Sequence, residues 1–377
     1  MVWRVHQSVV VGAAAAIVAA CAPAGGAAHH LTAAQLDSLP KLGVTDGRLI
    51  CTATGIDPCP LHTAIANWLD RDHYVLWEPG RVVRMYGGRD TTPVTIGALG
   101  ADKGQYATAL AAGPDGNHVL IIDRSSNSVM RFGRDGAFEE STALPESDGE
   151  SARGFVGDVP ILQRIRPRVD SSAVVEVRVL SSPAGDTGRV VLSAAIPWLF
   201  LNGGRVVRPT PFFGAGPVFT VAADRSIIWS PGTPFEVKRQ SLHGATIWTL
   251  TSDWMPAAIT EADIAAERRN VRAQSDTSLM HPADIDSMAA RTAKRPPAIT
   301  GIAVDPAGDI ALAGPSVPTA DSIDYFILSG DGIPTARFRL DNRSQLVLFT
   351  PDSVLVHRPT NSEPWETRWL LLRGSHK

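Results

Sequence analysis

The sequence predicts an all-β chain: a six-bladed β-propeller closed by an N-terminal strand, with a short helical insertion at about 256–297. Three observations predict it. First, one unit recurs, an apolar run, a turn bearing Asp or Gly, and a second apolar run, as in Ala111–Asp123. Second, the turn acids Asp72, Asp115, Asp224, Asp305 and Asp352 are spaced by 43, 109, 81 and 47 residues. The two short gaps are one repeat each. The gap of 109 leaves room for a further unit, and the gap of 81 shrinks to one repeat once a segment of different character is removed, giving six units. Third, the two ends complement each other. The last unit is one strand short, and an unassigned strand, Arg48–Thr54, precedes the first.

The first 21 residues read as a signal peptide of lipoprotein type. Val9 to Ala20 is an apolar run of 12 residues, too short to span a bilayer and suited to a signal-peptide core. It ends in Val18-Ala19-Ala20-Cys21, which resembles a lipobox and makes Cys21 the expected lipidation site. Cleavage at a nearby small-residue site, leaving a free secreted protein, is the alternative. Residues 22–44, Ala/Gly-rich at their start, read as a flexible tether, and 45–377 as the propeller. His29-His30 reads as a surface pair.

Export suits the cysteines. With Cys21 lipidated, Cys51 and Cys59 remain as an even pair around T-A-T-G-I-D-P, a loop whose Gly55 and Pro58 favour chain reversal. In an oxidising compartment this reads as a local disulfide, contributing about 2–3 kcal/mol. A zinc site would need more soft ligands than the nearby His62. The net charge of −3 and the lack of basic clusters interleaved with aromatics give no reason to expect nucleic acid.

The clearest repeat spans Gly97 to Phe138. Its apolar runs Ala109–Ala112, Val119–Ile122 and Val129–Phe132 are separated by Pro114-Asp115-Gly116, Ser125–Ser128 and Arg134-Asp135-Gly136. Asp-Gly supplies the positive φ that tight hairpins need. One such meander cannot bury both its faces, so copies must lie alongside. The irregular third unit is placed at Asp158–Ile165, Val174–Leu180 and Arg189–Ala195. Later units carry hairpins at Glu236–Leu250 and Tyr325–Leu340. The last holds Gln345–Phe349, Ser353–His357 and Thr367–Leu372, and pairing it with the N-terminal strand closes a ring and removes two exposed edges.

The insertion is helical in period. Thr260-Glu261-Ala262-Asp263 is a capping box with Asp in place of Glu, opening a helix to about Val271. His281-Pro282-Ala283-Asp284 opens a second to about Thr292, before Arg295-Pro296-Pro297.

Residues 97–138 resemble an NHL repeat: glycines ahead of the first strand, a P-D-G turn, a strand ending in Asp123, Asn127–Val129, and F-x-x-D-G. The proline usual before the first strand is missing. The layout over about 45–373 is similar to bacterial six-bladed β-propeller lipoproteins and exported proteins, with the T-I-G-x-x-G-x-x-x-G lead-in at Thr95–Gly104, a helical excursion before a late blade, and a terminal strand like Trp365–Arg373. The resemblance implies a binding or protein-interaction scaffold, lipid-anchored on the periplasmic side of a bacterial membrane or at the cell surface.

No motif of catalysis stands out. G-x-S-x-G, H-E-x-x-H, calcium loops and P-loops are missing, and no helix follows the glycines at Gly97, Gly100 and Gly104, which rules out a dinucleotide fingerprint. No catalytic residue, metal ligand or cofactor is therefore nominated, and the acids at turn tips read as satisfying local amides. Trp68, Trp77, Trp198, Trp229, Trp248, Trp254, Trp365 and Trp369 are spread along the chain. Those in strands, Trp77, Trp229, Trp248 and Trp369, read as packing between blades. Arg81, Arg84, Arg164, Arg166 and Arg168 could line a polar channel and meet an anionic ligand, or lie on solvated strand faces. The favoured reading is a monomeric, membrane-tethered scaffold for an unspecified protein or small molecule. The alternative is a metal-dependent hydrolase of the gluconolactonase type, which needs Glu, Asn and Asp at the channel ends of several inner strands.

Overall fold

A computed structural model describes residues 26–54, 60, 64–87, 92–145, 150–167, 173–180, 188–196, 200–202, 205–208, 211–274, 282–360 and 364–374. Six antiparallel sheets of sequential strands form the blades of a propeller. Blade 1 comprises Ile65–Trp68, His73–Trp77, Val83–Gly87 and Val94–Ile96. Blade 2 comprises Ala109–Asp115, His118–Asp123, Ser128–Gly133 and Phe138–Ala143. Blade 3 comprises Glu150–Val156, Val159–Pro167, Ala173–Leu180 and Gly188–Ile196.

Blade 4 comprises Val218–Val221, Ile227–Ser230, Glu236–Gln240 and Thr246–Ser252, and blade 5 Gly301–Val304, Ile310–Ala313, Ser322–Leu328 and Pro334–Asp341. Blade 6 takes Gln345–Thr350, Ser353–Arg358 and Glu366–Gly374 from the C-terminus and Leu42–Thr52 from the N-terminus. The first strand of each blade is the innermost. Turns between first and second strands define one face of the ring, here the turn face. Links between blades lie on the other, the connection face.

Blade 2 shows why the repeat folds as it does. Alternation places Val119, Ile121 and Phe132 on one side and Leu120, Ile122 and Val129 on the other, and both sides are covered by neighbouring blades. Asp123 ends its strand as a staple. Its carboxylate accepts the amides of Thr108 and Ser126 at 2.9 and 3.0 Å and the Ser126 hydroxyl at 2.8 Å. Burial works against the charge there, but the donors prevail and hold the carboxyl below its ordinary range. The glycine lead-in carries Tyr106 into the seam between blades 1 and 2. Its hydroxyl donates to Ile96 O at 2.8 Å and accepts from Val83 N at 2.7 Å. Gly136, at φ 86°, must be glycine for a second reason: a Cβ would meet Thr95 O of blade 1 at 2.2 Å.

Ring closure follows the expected logic. Leu42–Thr52 lies antiparallel to Glu366–Gly374, with Asp46 opposite Leu370 and Cys51 opposite Thr367. The closing strand is longer than its expected start at Arg48.

The assignment of residues 22–44 to a flexible tether needs correction from Ala27 onward. Ala27–Leu31 adds in parallel to Thr246–Ser252 as a fifth strand of blade 4. Helix α1, Ala33–Ser38, follows, capped by Thr32 and Gln35 in a capping box. Leu36 is buried among blades 4 and 5, a contribution of about 1.5–3 kcal/mol. Pro40 O then accepts Arg337 N of blade 5 at 2.8 Å before the chain enters blade 6. The composition signalled flexibility, but the unpaired outer edges of three blades offered the segment backbone partners.

The insertion joins blade 4 to blade 5 on the connection face. It holds α2, Glu261–Gln274, and α3, Pro282–Ala290. The expected capping box is formed: Asp263 Oδ2 accepts Thr260 N at 2.8 Å and its own amide donates to Thr260 Oγ1 at 3.2 Å. Asp263 also accepts from Thr319 of blade 5. Ile285, Met288 and Ala289 of α3 bury against Phe212. The helices therefore pad the connection face.

Candidate functional site

The first strands of blades 1 to 5 line a central cavity of about 700 Å³. Its walls are mainly apolar, with Leu110, Phe155, Phe219 and Ile302 from blades 2 to 5. Asn67 is tied across a seam, its Nδ2 donating to Ala112 O at 3.1 Å.

Three charged side chains reach this cavity: Asp70, Asp305 and Arg153. Two are committed elsewhere. Asp70 pairs with Arg134 at 2.6 Å and accepts the amides of Asp72 and His73. Burial raises its pKa, but these donors outweigh burial and pull it down to about 2. Asp305 accepts Asp309 N at 2.8 Å within its own turn, and burial, with the nearby Asp309 charge, pushes it up. Arg153, on the first strand of blade 3, is exposed to the cavity and has no hydrogen bond or ion pair among the described residues.

The expected channel arginines lie elsewhere. Arg81 pairs with Glu78 at 3.0 Å, outside the central cavity. Arg84 sits on the third strand of blade 1. Arg164 and Arg166 sit on the second strand of blade 3, both against Glu176 of the third, at 3.1 and 3.0 Å. Arg168 lies outside the described residues. Close spacing singles out these arginines, but Arg164 and Arg166 stand one strand, and Arg84 two strands, outside the innermost. The usable signal was positional: the innermost strand precedes the Asp- or Gly-bearing turn, and Arg153 stands four residues before Gly157-Asp158.

Cys21 and Cys59 lie outside the described residues, as does Trp198. Cys51 is buried on the closing strand. Trp77 and Trp248 pack between blades as expected. Trp229 is half-buried, donates to Gln240 Oε1 at 3.0 Å, and has the Lys238 ammonium 5.3 Å from its ring. Trp254 packs edge-on against Phe235 and Phe326, and Trp365 stacks on His357. Trp68, at the end of an innermost strand, reaches the cavity, which its place in the sequence did not disclose. The turn acids behave as expected of local amide acceptors at Asp224 and Asp305. In the first turn, Asp70 takes that role instead of Asp72.

The lactonase alternative needs converging acids at the cavity. Among the described residues no three His, Cys, Asp or Glu side chains gather into a metal-holding group, and the two acids that reach the cavity are bound in turns. No helix among the described residues is long and apolar enough to cross a membrane.

No family model matches the chain, and no curated protein does. Solved structures share its architecture. A DUF4221-family member from Bacteroides vulgatus is 6% identical, covers 88% of this chain and 99% of its own, and superposes with a TM-score of 0.50. A candidate exported protein of Bacteroides fragilis is 9% identical over 93% of this chain and 99% of its own, with a TM-score of 0.47. At such identity the likeness concerns the fold alone.

Proposed function

We propose that the chain is an exported, lipid-anchored binding scaffold whose central cavity takes an anionic ligand with an apolar body. The anchor would be Cys21, and a Cys51–Cys59 disulfide would fasten the closing strand to the loop that follows it. The observation that carries the reading is Arg153, a cation with no partner among the described residues in a mainly apolar cavity. In such walls a guanidinium interacts more strongly with an anion than it would in water, and its planar fork suits carboxylate, sulfonate or phosphate.

The test uses the mature chain, with Cys21 replaced, and two probes: a naphthalene sulfonate and the uncharged naphthol. Fluorescence titration should show saturable binding of the sulfonate and much weaker binding of the naphthol. Arg153→Ala should weaken the sulfonate about tenfold or more, with Arg153→Lys between. Equal affinity in wild type and Arg153→Ala would remove the cavity from the account. Turnover of a lactone by the purified protein would replace the scaffold with an enzyme.

A further inference from the structure

A second cavity, of about 420 Å³, opens on the turn face at the seam where blade 6 meets blade 1. Three aromatic rings form its wall. Trp68 and Trp369 stand 6.0 Å apart at 37°, and Tyr74 lies edge-on to both at 5.8 Å. Tyr74 is buried, and its hydroxyl accepts Trp369 Nε1 at 3.4 Å and lies against Arg48. Both tryptophans are half-buried, so each ring keeps part of its surface free. Mutual packing fixes the rings before any ligand arrives, which lowers the entropy cost of binding.

The polar wall narrows the ligand class. Arg48 and Arg71 are matched by Asp72 and Asp352, so the formal charges of the lining cancel. An organic cation would be drawn to the aromatic faces but opposed by two guanidinium groups. An organic anion would meet two carboxylates. A purely apolar molecule would leave these four groups desolvated and unsatisfied. A neutral body with one apolar face and a rim of hydroxyls meets both walls. A pyranose ring has that shape: its axial C–H groups lie on an indole's electron-rich face, and its hydroxyls both donate to carboxylates and accept from guanidinium. The cavity volume falls within the range of ligand sites, about 300–1,000 Å³.

We infer that this seam pocket binds a neutral pyranose sugar, free or as a unit of a glycan. The site is separate from the Arg153 reading, although Trp68 borders both cavities. The experiment titrates the mature chain with glucose, galactose, N-acetylglucosamine and short oligomers of each, by calorimetry and tryptophan fluorescence. At least one sugar should saturate and shift the emission. Trp369→Ala should weaken it about tenfold or more. Arg71→Ala, at an exposed position with no hydrogen bond or ion pair among the described residues, should weaken it with the melting temperature kept. Arg153→Ala should leave it unchanged, which separates this site from the central cavity. Tighter binding of oligomers than of monomers would assign a glycan, and equal binding a free sugar; either supports the inference. Three results would overturn it: no saturation by any sugar, unaltered affinity in Arg71→Ala and Trp369→Ala, or tighter binding of an aromatic peptide in competition.

Discussion

Blade 1 has two neighbours, and the cores of its two seams are built from different side chains. Toward blade 2, Val75, Trp77, Val83 and Met85 meet Val119, Ile121, Met130 and Phe132. Its polar contacts include the Tyr106 hydroxyl, satisfied on both sides by backbone, the Asn67 amide on Ala112 O, and the Asp70–Arg134 pair between the two turns. Toward blade 6, Tyr74 and Tyr86 stack at 5.3 Å and 13°, with Trp68 and Trp369 beside them. Gln345 of blade 6 exchanges two hydrogen bonds with the backbone of Ala64, and His357 is fully buried on the same face as Leu355. The first seam joins consecutive repeats, so chain connectivity already brings its partners together. The second joins the two ends of the propeller. A largely aliphatic core serves where the partner is given by sequence proximity. Where it is not, directional polar contacts distinguish the right partner from other sticky surfaces.

The largest break in this comparison is removal of the N-terminal belt. A chain lacking residues 27–52 loses the outer strand of blade 6, the fifth strand of blade 4 and the Leu36 anchor. Its ring has three strands in the last blade and an exposed edge. We expect the single cooperative thermal transition to be lost, with fast amide exchange beginning in Glu366–Gly374. A truncated chain that melts in one transition near the wild-type temperature would show that the seam closes without its belt.

How much of this was legible in the sequence divides along the same line. Blade 2 could be read almost residue by residue, because its turns carry Asp-Gly and its strands alternate. The number of blades followed from Asp spacing, and the partner of the closing strand from the missing strand in the last unit. The belt at Ala27–Lys41 was missed because its partners lie more than 200 residues away and its composition is that of a linker. The inner wall was missed for a related reason. Arg153 and Trp68 matter by radius, and radius depends on which strand of a unit is innermost. Clustering drew attention to Arg164, Arg166 and Arg168, whereas order within the unit was the informative variable.

A smaller effect is expected from emptying the apolar seam. Phe132 is fully buried, edge-on to Tyr106 and Phe138. Phe132→Ala removes a whole ring from a packed wall and should cost about 3–5 kcal/mol, with a slope against denaturant unchanged if the ring stays closed. A changed slope would mean that the ring no longer closes as in the wild type.

The smallest expected effect belongs to the closure seam and is read as a slope. Burial pulls the pKa of His357 from 6.5 down to about 4, against the attraction of Glu78. Its Nδ1 is 3.0 Å from Thr367 Oγ1 and its ring stacks on Trp365 at 4.8 Å, an arrangement that suits the neutral imidazole. The sign follows from proton counting. Between pH 6.5 and about 4 the unfolded chain binds a proton at this histidine and the folded chain does not, so acid favours unfolding. Stability from this group is complete above pH 6.5, falls as pH drops toward about 4, and levels below, a loss of about 3 kcal/mol at most. The carboxylates held low, such as Asp70 and Glu366, add their own acid dependence, so the quantity to measure is a difference. Denaturant unfolding of wild type and His357→Gln at several pH values should give curves that converge as the solution is acidified. Parallel curves would show that His357 carries no proton linkage, and with it that the closure seam is no more polar in effect than its neighbour.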